Sequence, residues 1–241
     1  MYSNAAGLAG AAAAHFVEQA VAAIEARGRF AVALPGGSTP RATYALLAGP
    51  EFARRIDWAR VHVFWGDERC VPPDHPDSNY SMARETLLDH VPIPVENVHR
   101  VRGEIDPAQA ADEYERTLRD FFATRPGEAE AATCFDLILL GMGGDGHTAS
   151  LFPGTAAIHE DTRWVVAHFV DQLNAWRLTL TPIAINAAAQ VTFLVAGAGK
   201  AERLREVLTG PLQPDRLPSQ IVQPAAGRLL WLLDTAAAAQ L

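Results

Sequence analysis

Phe30-Ala31-Val32-Ala33-Leu34-Pro35-Gly36-Gly37-Ser38-Thr39-Pro40 is the stretch that decides the fold. Five apolar residues without alternation read as a strand buried on both faces, the kind found in parallel sheets covered by helices. The run breaks at Pro-Gly-Gly into a tight turn, and Ser38 or Thr39 then caps a helix with Pro40 near its first position.

The same pattern recurs along the chain. Val61 to Trp65 empties into Gly66-Asp67-Glu68-Arg69, and Phe135 to Leu140 into Gly141-Met142-Gly143-Gly144-Asp145-Gly146-His147. Val191 to Ala196 empties into Gly197-Ala198-Gly199-Lys200. Helical stretches surround these strands: Ala5 to Arg27, closed by Gly28, then Asn79 to Leu88, Pro107 to Phe122 and Lys200 to Leu208. Apolar strands alternating with amphipathic helices predict an α/β fold of three layers, a mostly parallel sheet with helices on both faces, Rossmann-like in outline. Trp164 to Phe169 and Trp176 to Thr181 read as an antiparallel addition looped at Asp171 to Asn174, and Arg228 to Leu233 as a last strand. No Pro/Ser-rich linker and no repeat divides the chain, so one domain over residues 1–241 is expected.

Bulk properties narrow the function. With 49% hydrophobic and 20% charged residues the chain can fill a core, and its net charge of −8 disfavours a phosphate-backbone partner. Nucleic acid is therefore not expected. Ala-rich as the first twenty residues are, His15 and Glu18 interrupt them and no basic segment precedes them, which argues against a signal peptide. No apolar run approaches the eighteen or so residues of a membrane span. Cys70 and Cys134 fit no CxxC spacing and read as reduced thiols of a cytoplasmic protein.

In open parallel sheets ligands sit outside the carboxyl ends of the strands, so the four turns can converge. Gly36, Gly37, Ser38 and Thr39 offer backbone and hydroxyl donors to a phosphate, or else make an ordinary capped turn. No Lys-Ser or Lys-Thr follows as in a Walker loop. Arg69, in Asp67-Glu68-Arg69, can grip a phosphate or carboxylate, oriented by a neighbouring acid, or can form a surface ion pair. Gly141 to Gly146 contains GxGxxG, but a dinucleotide fold would begin only at residue 135, late in the chain, and His147 intrudes at once, so a nicotinamide cofactor is discounted. His147 at the end of that loop, with Asp145 beside it, can serve as a general base, or can simply cap the next helix. Lys200 opposes the dipole of the helix it opens, a placement that a bound anion explains. Arg177 is either a third cation or an exposed strand residue. Asp74, His75 and Asp77 lack zinc-type spacing, and no metal is expected. Ser38, Ser150 and Ser219 lack the Gly-x-Ser-x-Gly context of a serine nucleophile.

Taken in order, Leu34 to Pro40, Trp65-Gly66-Asp67-Glu68-Arg69 and Asp77-Ser78-Asn79-Tyr80 resemble motifs of the 6-phosphogluconolactonase family. Gly141 to Gly154, Arg177-Leu178-Thr179-Leu180-Thr181 and Gly197 to Lys200 continue the likeness, which spans about residues 30 to 233. The resemblance implies the fold shared with sugar-phosphate deaminases and isomerases. It also implies hydrolysis of 6-phospho-D-glucono-1,5-lactone in the oxidative pentose phosphate pathway, without a cofactor. His147 would be the base and Asp145 its tuning partner. The Gly36–Thr39 loop, Arg69 and Lys200 would lie on the phosphate side, with Arg177 adding charge. The implied partner is a small sugar-phosphate lactone, bound by a monomer or small homo-oligomer. Deaminase relatives read Ile-Ala-Phe-Asn-Glu-Pro-Gly after the His, whereas this chain reads Thr148-Ala149-Ser150-Leu151-Phe152-Pro153-Gly154 and lacks that acid. The alternatives are therefore a glucosamine-6-phosphate deaminase or sugar-phosphate isomerase, disfavoured by the missing acid, and a non-catalytic sugar-phosphate sensor. The latter lacks the spare length and basic patch of a DNA-binding segment.

Overall fold

The computed structural model describes residues 1–123 and 135–241. Its elements, in chain order, begin with α1 (Ala5–Arg27), β1 (Phe30–Leu34), α2 (Ser38–Leu47), α3 (Pro50–Ala53) and β2 (Val61–Trp65). Then come β3 (Asp67–Arg69), α4 (Asn79–Thr86), α5 (Pro107–Phe122), β4 (Leu137–Leu140) and β5 (Val165–Val170). The chain continues with β6 (Ala175–Leu180), α6 (Pro182–Asn186), β7 (Gln190–Val195), α7 (Ala201–Thr209) and β8 (Arg228–Leu233).

Five strands pair in parallel in the order β2-β1-β4-β7-β8. Every side chain of β1, β4 and β7 is buried, as their unbroken apolar runs require. Register shows how both faces are covered. Phe30 is opposite Val61, so Phe30 and Phe64 point to opposite faces of the sheet. Phe16 of α1 meets Phe30 edge-on at 5.3 Å, while Phe121 and Phe122 of α5 close on Phe64. α1 and α5 thus form the two outer layers. A second sheet, antiparallel in the order β3-β6-β5, stands beside the first, and buried side chains of both belong to one continuous core.

Several expectations shift. Ser38 does not cap α2: Gly37, at φ 106, is the cap residue and Ser38 the first helical residue, with no side-chain cap bond. β4 starts at Leu137, because Asp136 is used as an anchor, accepting from the amide of Ala31 at 2.7 Å and pairing with Arg27. α4 ends at Thr86 and gives way to a 3-10 turn at Leu88–His90. Lys200 closes a 3-10 turn, and α7 begins one residue later. Asp67 to Arg69, expected as a turn, is β3. By length and composition α1 does satisfy a membrane span, contrary to the sequence expectation, yet its Leu8, Ala12, Phe16 and Ala20 pack in the core. Cys70 is a free thiol, and Cys134 lies outside the described residues.

Candidate active site

The carboxyl ends of β1, β2, β4 and β7 open on one cavity of about 340 Å³. It lies where the strand order turns back, next to the β1/β4 pair, the place at which open α/β sheets take ligands. Gly36, Gly37, Ser38, Thr39, Arg69, His147 and Lys200 all line it. Of the residues singled out from sequence, Asp145 and Arg177 do not, and each stands directly behind one that does.

After β4 the chain coils back on itself: the amide of Gly143 donates to the carbonyl of His147 at 2.8 Å. This brings Nδ1 of His147 to 2.6 Å from Oδ1 of Asp145, which also accepts the His147 amide at 3.1 Å. With the proton of Nδ1 held by Asp145, Nε2 carries the free lone pair. Burial works against the charge on Asp145, but the hydrogen bonds from His147 outweigh it and hold the carboxyl at about 2. A Cβ on Gly143 would fall 2.1 Å from Nδ1 of His147 and 2.5 Å from Oδ1 of Asp145, so only glycine lets the pair sit there. The ring of Phe152 packs on His147 at 4.2 Å, and Ser219 donates its amide and its hydroxyl to the Gly146 carbonyl from behind, each at 2.9 Å. No helix begins at His147, the next helical turn being Ala156–His159, so the capping alternative falls away.

At the end of β1 the amides of Gly36 and Gly37, like that of Gly144 across the cavity, have no acceptor among the described residues. They join the free N–H groups of the first turn of α2. A Cβ on Gly36 would lie 1.9 Å from Oδ1 of Asn79, a close approach forced by what Asn79 does next. Its side-chain amide donates to the carbonyl of Asp67 at 2.9 Å and to Oδ1 of Asp67 at 3.1 Å. Ser150 donates its hydroxyl to the other carboxylate oxygen at 2.6 Å. Asp67 is thus a nearly buried acid on the cavity wall. Sequence reading missed both Asp67 and Asn79 as site residues; the only signal for them was their place in quoted motifs.

Arg69 is not oriented by Glu68. Strand alternation turns Glu68 to the other face, where its carboxylate accepts the amides of Arg69, Asn79 and Tyr80, each at 2.8 Å, and the hydroxyl of Ser78 at 3.1 Å. The Arg69 guanidinium instead donates to the carbonyl of Asp77 at 2.5 Å, and its buried Nε has no partner among the described residues. Register sets Arg177 opposite Arg69, and His168 opposite Arg177. Like charges directly opposite destabilise a sheet. Burial first, and then the Arg69 charge, press the Arg177 guanidinium below its ordinary pKa. Neither arginine forms an ion pair among the described residues, so the two guanidiniums put positive charge at one end of the cavity, with the Asp67 carboxylate on the same face; His168, its pKa lowered by burial, donates Nε2–H to the Ser150 carbonyl. At the opposite end Lys200 also lacks an ion pair among the described residues. Its turn is fixed by Asp234, which accepts the Gly197 amide at 3.0 and 3.1 Å.

Among the described residues no three His, Cys, Asp or Glu side chains converge as a metal site. Burial pushes the Cys70 thiol up to about 11, too high for a nucleophile.

A cleft with unpaired backbone donors, unpaired cations and one His–Asp couple is built for hydrolysis of a small anion, and comparison with known proteins agrees. The model of glucosamine-6-phosphate isomerases/6-phosphogluconolactonase matches residues 3–231. Over 220 residues the chain is 48% identical to a 6-phosphogluconolactonase of Nostoc sp., covering 91% of this chain and 88% of that one. A 6-phosphogluconolactonase of Synechocystis sp. is 46% identical over 213 residues, 88% and 85% of the two chains. The structure of 6-phosphogluconolactonase from Trypanosoma brucei superposes with a TM-score of 0.87 at 32% identity, covering 100% and 97%. The chain belongs to the glucosamine-6-phosphate isomerase/6-phosphogluconolactonase family. Within it, this is an enzyme of the lactone-hydrolase branch.

Proposed function

We propose that the chain hydrolyses 6-phospho-D-glucono-1,5-lactone to 6-phospho-D-gluconate, with His147 as the base. The observation that carries this reading is the His147–Asp145 couple, its free Nε2 in a cavity that also holds Arg69 and Lys200. Arg69, backed by Arg177, and the Gly36–Thr39 loop take the phosphate, and Lys200 adds positive charge from the β7 side. Binding the phosphate fixes C1 near His147, which removes the entropy cost of bringing ester and base together.

Nε2 of His147 takes a proton from water as the oxygen attacks C1. The imidazolium that forms is stabilised by Asp145, and the oxyanion falls to unpaired amides such as that of Gly144. The tetrahedral centre then collapses, the C1–O5 bond breaks, and the proton passes from His147 to the leaving ring oxygen. A lactone is an activated ester, so one base and a set of donors suffice.

Phe152 supports the lactonase over a deaminase. It occupies the position where the deaminase motif carries its acid, and its ring lies against the base. The test is hydrolysis of freshly generated 6-phosphogluconolactone, with product coupled to 6-phosphogluconate dehydrogenase, in EDTA. Acceleration over the spontaneous rate is expected, with no turnover of glucosamine 6-phosphate. The reverse pattern contradicts the reading.

A further inference from the structure

Ser150 lies three residues past the base and is buried. Each of its polar groups goes to a different strand of the small sheet. The hydroxyl donates to Asp67 of β3 at 2.6 Å, the amide donates to Oγ1 of Thr179 on β6 at 3.2 Å, and the carbonyl accepts Nε2–H of His168 on β5 at 2.7 Å. One residue earlier, Ala149 is held at φ 47, a left-handed conformation that strains a side-chain-bearing residue and persists only where the surroundings impose it. Ala149 lines the cavity. On its other side Thr148 is fastened by its hydroxyl to the carbonyl of Gly141 at 2.8 Å, and the Leu151 amide returns to the Thr148 carbonyl at 2.9 Å.

The strained turn after His147 therefore has one external anchor on the sheet that carries Arg69 and Arg177. Without it, Ala149 is free to relax toward negative φ, and the chain direction leaving His147 changes. The Asp145 bond holds the ring within the loop, but nothing within the loop relates the ring to Arg69.

We infer that Ser150 is a positioning residue for the reaction, the tie that sets His147 in register with the phosphate-binding sheet. His168 completes the tie from β5 through its Nε2–H, a role that requires a donor and not a charge. This inference rests on the proposed lactone hydrolysis for its kinetic readout.

The test uses Ser150→Ala, His168→Leu and His168→Gln beside wild type. A displacement of a reacting group by about 1 Å can cost on the order of a hundredfold. For Ser150→Ala, kcat on 6-phosphogluconolactone is expected to fall roughly 10- to 100-fold with KM within about twofold. His168→Leu, which deletes only the carbonyl's donor, should lose about 3- to 10-fold by the same split, and His168→Gln, which keeps an N–H donor, should recover most of it. A purely structural residue would lower the melting temperature without this kcat-only loss or its rescue. Hydrogen exchange supplies the readout independent of activity: amides between residues 143 and 151 should exchange at least about tenfold faster in Ser150→Ala, with the β1 and β7 amides unchanged. Wild-type kcat in both Ser150→Ala and His168→Leu, or unchanged exchange in that segment, overturns the inference. Absence of hydrolysis by wild type overturns the proposed reaction instead and leaves the exchange result to decide on Ser150.

Discussion

The two sheets divide the work. In the parallel sheet the side chains of β1, β4 and β7 are spent on the core, and what reaches the cavity is backbone and the loops beyond. In the antiparallel sheet one face packs Val165, Leu178 and Leu180 inward, while the other carries Asp67, Arg69, Arg177 and His168. The larger sheet thus fixes where loops emerge, and in the proposed reaction it supplies the base, its amides and Lys200. The smaller one adds, in that proposal, the two arginines on the phosphate side. A fold can in this way vary its recognition without disturbing the sheet that holds the base.

The sharpest way to break this division is at the base. His147→Ala should lower kcat by roughly 10²–10⁴ with KM little changed, as measured on the phosphorylated lactone. Near-wild-type turnover would remove the chemistry from the β4 loop. Next in size is Glu68, whose buried carboxylate accepts four hydrogen bonds, three of them joining β3 to the start of α4. Glu68→Ala strands those donors and should cost about 3 kcal/mol in denaturant unfolding, because the small sheet has little apolar reserve to offset the loss. A loss below about 1 kcal/mol would show that β3 is held by something else.

Arg69→Ala should raise KM for the phosphorylated lactone by roughly 10-fold or more, as expected for loss of a charged hydrogen bond to a phosphate, with kcat within a fewfold. An unchanged KM with depressed kcat would move Arg69 to the oxyanion. The smallest effect sits on the far edge of the large sheet, where Nδ1 of His62 is 3.3 Å from Nε2 of His99. Burial, and then the neighbouring His62, hold His99 at about 4, against 6.5 for an ordinary histidine. Between those values the unfolded chain binds more protons than the folded one, so stability falls as pH drops through 6.5 and levels off near 4. His99→Phe should remove about 1–2 kcal/mol of that acid sensitivity, discounted for the pair's partial exposure, while leaving kcat at neutral pH unchanged. Equal acid slopes for the variant and wild type would assign the sensitivity to other groups.

The same division explains what could be read from the sequence. The large sheet was legible because its strands are mostly apolar runs, fully buried in β1, β4 and β7: β1, β2 and β8 fall on the expected residues and the other two within a residue or two. His147 and Asp145 stood out because both sit in a glycine loop at a strand end, and the fold brings their side chains within 2.6 Å. β3 was not, since Asp67-Glu68-Arg69 has no apolar residue to betray a strand and is held by tertiary bonds from Asn79 and Tyr80, ten or more residues on. For the same reason the acid next to Arg69 in sequence, Glu68, does not share its face of the strand. Phase along a strand separates neighbours that sequence joins. Asp67 and Asn79 were invisible as site residues because each is defined only by the other and by Ser150.

The most direct test of the two-sheet account compares two lactones, one with and one without the phosphate, on two variants. With 6-phosphogluconolactone and glucono-1,5-lactone as substrates, kcat/KM would be measured for wild type, His147→Ala and Arg69→Ala. The account predicts that His147→Ala loses activity on both lactones, whereas Arg69→Ala loses it on the phosphorylated one and stays within about twofold of wild type on the other. Equal losses on both lactones in Arg69→Ala would contradict it, because the small sheet would then be taking part in the chemistry itself.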